Sequence, residues 1–232
     1  MTLFASVLPI LCWLAYNLLV PFAERQRPSL SAIMGMQRRR WVANVTTRES
    51  PLDAILSGNL MQSVSFLAST SVLLILAIFA AFGQVPALMD SLSTFGLGLD
   101  RTSQDLQTHL LVLLAIFVSS FFAFTLSLRQ FNHFCIMVGA IDHTVPATDD
   151  EIDAITSLNI LAAKNFNSGI RAYYFAVPAV AWFASDWLAI GVTVVTTLFI
   201  VHREFFSSAH RVAASVAVIA SRRERDRHPP AA

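Results

Sequence analysis

The sequence predicts an all-α fold: a polytopic transmembrane bundle of four to five spans with amphipathic interfacial helices. Three observations point there. Hydrophobic residues make up 55% of the chain and charged residues only 13%, about half the charge of average soluble domains. Mean hydropathy is +0.60. Residues 106–128 contain no Asp, Glu, Lys or Arg, and such a run, rising about 1.5 Å per residue, crosses a hydrocarbon core of roughly 30 Å.

The length of 232 residues fits one domain. Residues 1–221 read as a single integral membrane domain and 222–232 as a solvated basic tail. The net charge of +1 hides segregation, since fifteen of the sixteen cations are Arg and the one Lys is Lys164. Arginine clusters suit phosphate headgroups at a cytoplasmic lipid boundary, so membrane lipids and not nucleic acid are the expected partners. Cys12 and Cys135 lie in apolar runs and read as inert buried thiols.

The first span is Leu3 to Phe22. Its start lacks a basic stretch, and its charges follow the apolar run, which suits a first membrane helix more than a cleavable signal. Asn17 inside it should face another helix, and Pro21 closes it. Residues 23–57 are polar, with an interfacial piece at Met34–Trp41 in which Arg38, Arg39, Arg40 and Trp41 reach lipid headgroups.

Ser50-Pro51-Leu52-Asp53 is a helix-start signal for a second span ending near Phe82. Asn59, Gln62, Phe66 and Ser69 share one face of it at helical spacing. Buried polar groups need partners inside a membrane protein, so this face is expected against a helix or a watery cavity. Residues 83–108, with Gly83, Pro86, Gly96 and Gly98, form an outer loop with a short amphipathic helix.

The third span continues past Arg129, and taken as one helix from Leu106 to Ile141 it reaches roughly 50 Å. After a turn at Gly139–Pro146, Thr148-Asp149-Asp150-Glu151 is a capping box opening an amphipathic helix. That helix leads through Gly169 into Val177–Phe183, a short apolar fourth span. Trp182 and Trp187 flank the Ser185-Asp186 turn as an outer aromatic belt. The last span, Trp187 to Val201, continues amphipathically through Ala220. Cations number six in the first polar segment, one in the outer loop, three from Arg129 to Arg171, none at Ser185 and six from Arg203 onward. The positive-inside rule then predicts five crossings with the N-terminus out and the C-terminus in the cytoplasm; a bacterial inner membrane is the expected location.

Three phrases carry a resemblance: Gly58–Thr70 (GNLMQSVSFLAST), Arg129–Ala140 (RQFNHFCIMVGA) and Asn165–Phe183 (NFNSGIRAYYFAVPAVAWF). With them the chain resembles an uncharacterised family of small multi-pass membrane proteins, domain of unknown function 599, with bacterial and plant members. The resemblance covers nearly everything but the tail. It implies a multi-pass helical fold and no activity, so it assigns no catalytic residue.

Polar residues predicted at similar depth near the inner boundary form the candidate binding set: Asn59 and Gln62; Arg129, Asn132 and His133; Asn165, Asn167 and Arg171. Two arginines ringed by amides attract an anion and offer it donors. The competing reading is a network that only fixes helix packing. Haem between His133 and His202 is a remote alternative, and no metal-binding spacing supports it. Asp142, His143, Asp149, Asp150 and Glu151 gather acid, but the capping box accounts for the last three. No phosphate loop, nucleophile elbow or zinc-protease motif occurs, so no enzyme is expected.

Small residues at Ala115, Ser119, Ser120 and Ala123, and at Gly191, Thr193, Thr196 and Thr197, allow close helix approach. Together with the short fourth span they suggest a homo-oligomer. Two functions stay open at this point. One is a homo-oligomeric channel or transporter for a small anionic or polar solute. The other is a non-catalytic scaffold or accessory subunit that binds lipid or another membrane protein.

Overall fold

The computed structural model describes residues 1–48, 50–97 and 101–227, the side chains of 224–227 excepted. Gly98 of the outer loop and the last five tail residues lie outside them. The described residues form eight helices and no strand: α1 (Thr2–Glu24), α2 (Leu30–Val45), α3 (Pro51–Phe82), α4 (Val85–Thr94), α5 (Ser103–Gly139), α6 (Asp149–Ala181), α7 (Asp186–Phe205) and α8 (Ser208–Arg227). α1, α3, α5 and the stretch from α7 into α8 are long and apolar enough to cross a membrane.

Short polar side chains set most of the helix starts. Thr102 accepts from the Asp105 backbone N–H at 3.1 Å, and the Asp105 carboxylate accepts from the Thr102 N–H at 2.9 Å, closing a capping box on α5. Thr148 accepts from Glu151 N–H at 3.2 Å and Ser185 from Leu188 N–H at 3.1 Å, opening α6 and α7. The Ser50-Pro51 signal does start α3, but the Ser50 side chain makes no cap bond. Asp53 instead turns inward and accepts from the Trp41 indole N–H at 2.7 Å. The last span does not run unbroken to Ala220. It ends at Phe205, and Ser207 caps α8 by accepting from His210 N–H at 3.1 Å. α8 then runs through Arg227, past the expected start of the tail.

α5 and α6 form the axis of the bundle, antiparallel and in close contact. His109 hydrogen-bonds the Ala179 carbonyl at 2.7 Å, Ser120 donates to Gly169 O at 3.1 Å, and Ser127 donates to Ala162 O at 2.7 Å. Backbone carbonyls become reachable because α6 turns a face of Ala162, Gly169, Ala172, Ala176 and Ala179 inward, all buried. Without a hydrophobic force between helices in lipid, such close packing and interhelical bonds hold the bundle. Of the small residues expected to do this, Ser120 and Thr193 are buried, whereas Ala115 and Gly191 are exposed.

One end of the bundle gathers the N-termini of α1, α5 and α7 with the C-terminus of α6. Ser6 bonds His109 Nδ1 at 2.7 Å, and the Trp182 indole donates to Thr2 O at 3.2 Å. Because the Ala179 carbonyl can only accept, His109 Nε2 carries the proton and Nδ1 accepts from Ser6. Trp182 is therefore no surface belt residue. It is fully buried, stacked on His109 at 4.0 Å with the Arg101 guanidinium 3.5 Å from its ring centroid. Trp187 does face outward, 74% exposed.

α3 packs beside α5 through Asp53, Ser57, Val64, Ser71 and Ile78, a narrow seam near the 3.5-residue period of coiled coils. Asn59, Gln62, Phe66 and Ser69 lie off that seam and are exposed on the chain, so no helix of this chain covers them. α3 is about 48 Å long by its rise, longer than the roughly 30 Å core, so Asn59 and Gln62 in its third turn can meet headgroup or water without a protein partner.

The Phe124 ring lies 2.6–2.9 Å from where a Cβ on Gly169 would stand. Gly169→Ala should therefore force α5 and α6 apart and destabilise the protein by about 1–3 kcal/mol. A lowered thermal midpoint in detergent, with no such loss for Gly191→Ala where no atom lies within 4 Å, is the expected result.

Candidate functional site

The polar residues that converge do so between α1, α2 and α6. A cavity of about 750 Å³ opens there, lined by cationic Arg38, Arg39, Lys164 and Arg171 and by acidic Glu24 and Asp153. A second cavity of about 190 Å³ shares Ser31, Arg38 and Arg171 with it and adds Glu204.

Arg171 is largely buried, its side chain 14% exposed. It stands ten residues before the end of α6, about 15 Å by helix rise and so half a hydrocarbon core from that end. Its side chain leans toward the helix N-terminus, as helical side chains do. It donates to Asn17 Oδ1 at 3.1 Å, lies 4.0 Å from Glu204 Oε1, and sits 5.2 Å from the Tyr16 ring centroid. Asn17 is fixed in turn by donating to Trp13 O at 2.9 Å. Asn17 thus faces another helix, as its type requires in lipid. Glu204 also accepts from Ser31 N–H at 3.2 Å, tying α7 to the first turn of α2. His210 of α8 bonds Pro28 O at 2.9 Å.

The arginines of α2 divide. Arg39 pairs with Asp153 at 2.5 Å and Asp149 at 3.1 Å, on the exposed rim. Arg38 turns inward and donates to Asn159, a fully buried amide of α6. Burial pulls the Arg38 guanidinium below its ordinary value, and its partner is neutral. Lys164 is exposed on the cavity wall. The four lining cations therefore face only two lining carboxylates. The Thr156 hydroxyl on the same wall is buried without a hydrogen-bond partner, as is Asn159 Nδ2. Buried polar atoms of this kind ordinarily find one. Arg39 and Arg171 are met by Asp149, Asp153 and Glu204, whereas Arg38 and Lys164 pair with no carboxylate among the described residues; a concave site with two such cations and spare donors suits an anion.

The expected binding set is split by this geometry. Arg171 is at the cavity, and Asn167 donates to Ser31 at 3.0 Å in the smaller one. Asn165 belongs to a different face of α6, where it donates to Gln130 at 2.7 Å. Asn59, Gln62, Arg129, Asn132 and His133 are exposed on α3 and α5 and line neither cavity. α5 spans about 55 Å at 1.5 Å per residue, so its last turns need no buried partner. His133 and His202 are both exposed, His202 stacking on Phe206. Among the described residues no three His, Cys, Asp or Glu side chains gather as a metal site.

Arg38 and Trp41 also depart from the headgroup role expected of them, through Asn159 and Asp53. Arg40 is half-buried on the same helix. Sequence reasoning missed Asn159, Glu204 and Ser31. The signal for Asn159 was its spacing from Ile155 and Ala162, which puts an amide in a buried seam. For Glu204 it was an acid closing the last apolar run.

Arg39 and Arg38 should respond differently to mutation. Arg39→Ala breaks an exposed pair worth about 0.2–1 kcal/mol, an effect that salt screens. Asn159→Ala strands a half-buried guanidinium and should cost about 1–3 kcal/mol, more than Arg38→Leu, which removes the charge as well. Detergent melts of the three variants at low and high salt give the comparison.

No curated protein and no solved structure matches the chain significantly. A family profile does, over residues 4–209 and thus nearly all of the membrane domain. The chain accordingly belongs to the family described as protein of unknown function, DUF599.

Proposed function

We propose that this protein is a transporter for a small anionic solute, which it holds in the α1/α2/α6 cavity. The observation that carries the reading is Arg171, a guanidinium about half a hydrocarbon core from the nearer end of its helix and beside a cavity of about 750 Å³. An arginine in such a setting marks a solute or ion pathway more often than a packing device when water can reach it. Arg38 and Lys164 supply further positive charge, and Thr156 a spare hydroxyl.

The orientation we favour has the N-terminus outside and the C-terminus in the cytoplasm of a bacterial inner membrane. Fifteen of the sixteen cations follow this division, with Arg101 alone at the end that gathers the N-termini of α1, α5 and α7. Five crossings result, with α6 as the fourth. α6 lacks a run as apolar as the others but is packed by α1, α2, α5 and α7. Single cysteines at Ser93 and Ser208 are then expected to react with a membrane-impermeant thiol reagent from opposite sides of intact cells. Labelling of both from one side contradicts the orientation.

A second reading has an observation of its own. Asn59, Gln62, Phe66 and Ser69 leave α3 with an outward polar stripe, which suits a second copy or a partner helix in the membrane. Loss of a native-gel oligomer in Asn59→Leu/Gln62→Leu favours that reading.

Liposome flux tests the first. With inorganic phosphate and small carboxylates as probes, Arg171→Ala and Arg38→Gln should each lower uptake at least tenfold, while Arg129→Ala leaves it unchanged. Flux that is absent from the unmutated protein, or equal in all variants, removes the transport reading.

A further inference from the structure

A further concavity adjoins the anion cavity at Val20 but shares none of its charged residues. It is a groove of about 470 Å³ between α1 and α7, on the side away from α5. Its wall is apolar along Cys12, Ala15, Leu19 and Ala23 of α1 and Val201 and Phe205 of α7. Small residues make the trough: Ala15 and Ala23 leave a recess where their neighbours Leu14, Leu18 and Phe22 stand out into the surroundings, all at least 45% exposed. From Cys12 to Ala23 the recess runs about 17 Å at the rise of an α-helix, which is the depth of one leaflet of a roughly 30 Å core.

One end of the groove is cationic. Gln26 and Arg27 stand there with Phe206. The Arg27 guanidinium lies 4.6 Å from the Phe206 ring centroid, and among the described residues no carboxylate pairs with it. The ring fixes the direction of the cation while leaving its charge unmet by protein. Arg25 adds a second cation two residues away, 5.2 Å from the Phe22 ring centroid.

We infer that the α1/α7 groove is a binding site for an anionic phospholipid, with one acyl chain along Cys12–Ala23 and the phosphate at Arg27. Apolar length matched to one leaflet and an unmet cation at its polar mouth are the two properties such a ligand requires. A free anion has no use for the apolar recess, and an uncharged lipid has none for Arg27.

Native mass spectrometry of the full chain in detergent, with added dioleoyl phosphatidylglycerol or dioleoyl phosphatidylcholine, reads occupancy directly. The unmutated protein should retain phosphatidylglycerol at least fivefold over phosphatidylcholine. Ala15→Phe fills the recess and Arg27→Gln removes the cation. Each should lose most of that preference, and a detergent melt checks that each still folds. If either variant unfolds, Ala23→Leu and Arg27→Lys carry the same comparison, with preference lost in the first and kept in the second. Equal retention of the two lipids by the unmutated protein overturns the inference, as does preference undiminished in both groove variants. Preference abolished by inorganic phosphate alone also overturns it, because the headgroup would then be bound without its chain. The groove and the anion cavity share no charged residue, and the lipid preference is read without any flux measurement, so the test stands apart from the transport reading.

Discussion

The bundle is built around the need to satisfy Arg171. A guanidinium half a hydrocarbon core from the end of its helix cannot be left to lipid, and α6 carries it together with Asn159, Asn165 and Asn167. Their partners lie on four neighbouring helices: Asn17 on α1, Glu204 on α7, Arg38 and Ser31 on α2, Gln130 on α5. The arrangement of α1, α2, α5 and α7 about α6 follows from where those partners are. α6, less apolar than α1, α3, α5 and α7, is packed by four other helices.

α5 supplies the rest of the enclosure by another route. Its Ser120 and Ser127 hydroxyls reach α6 carbonyls because α6 offers only small side chains there. In lipid the hydrophobic effect does not favour helix contact over lipid contact, so shape and hydrogen bonds select the partner. His109 closes the other end of the same contact with both ring nitrogens engaged and Trp182 stacked upon it.

The apolar runs made the spans of α1, α3, α5 and α7 legible, and Thr148–Glu151 and Pro51 marked two helix starts. The facing of each helix was harder to read. Asn59 and Gln62 looked like buried glue because their spacing is helical, yet the α3 seam runs through Val64, Ser71 and Ile78. A helix longer than the core can carry amides at its wet end, so polarity alone did not say which helix, if any of this chain, they would meet. The arginines of α2 were taken as a uniform headgroup cluster, whereas successive residues on a helix point about 100° apart. Arg38 therefore faces α6 while Arg39 reaches the rim. Arg171 was legible as a cation in need of a partner, because it adjoins an apolar run. Its partners Asn17 and Glu204 sit on helices far away in sequence, so only the fold could pair them.

The enclosure of α6 is most directly measured by hydrogen–deuterium exchange on the full chain in lipid nanodiscs. Amides of α6 from Ala162 to Ala181 should be protected as strongly as those of α5 from Leu110 to Ser127. Exchange in that stretch as rapid as in α8 would mean that α6 lies at the membrane surface, and the account built on Arg171 would be wrong.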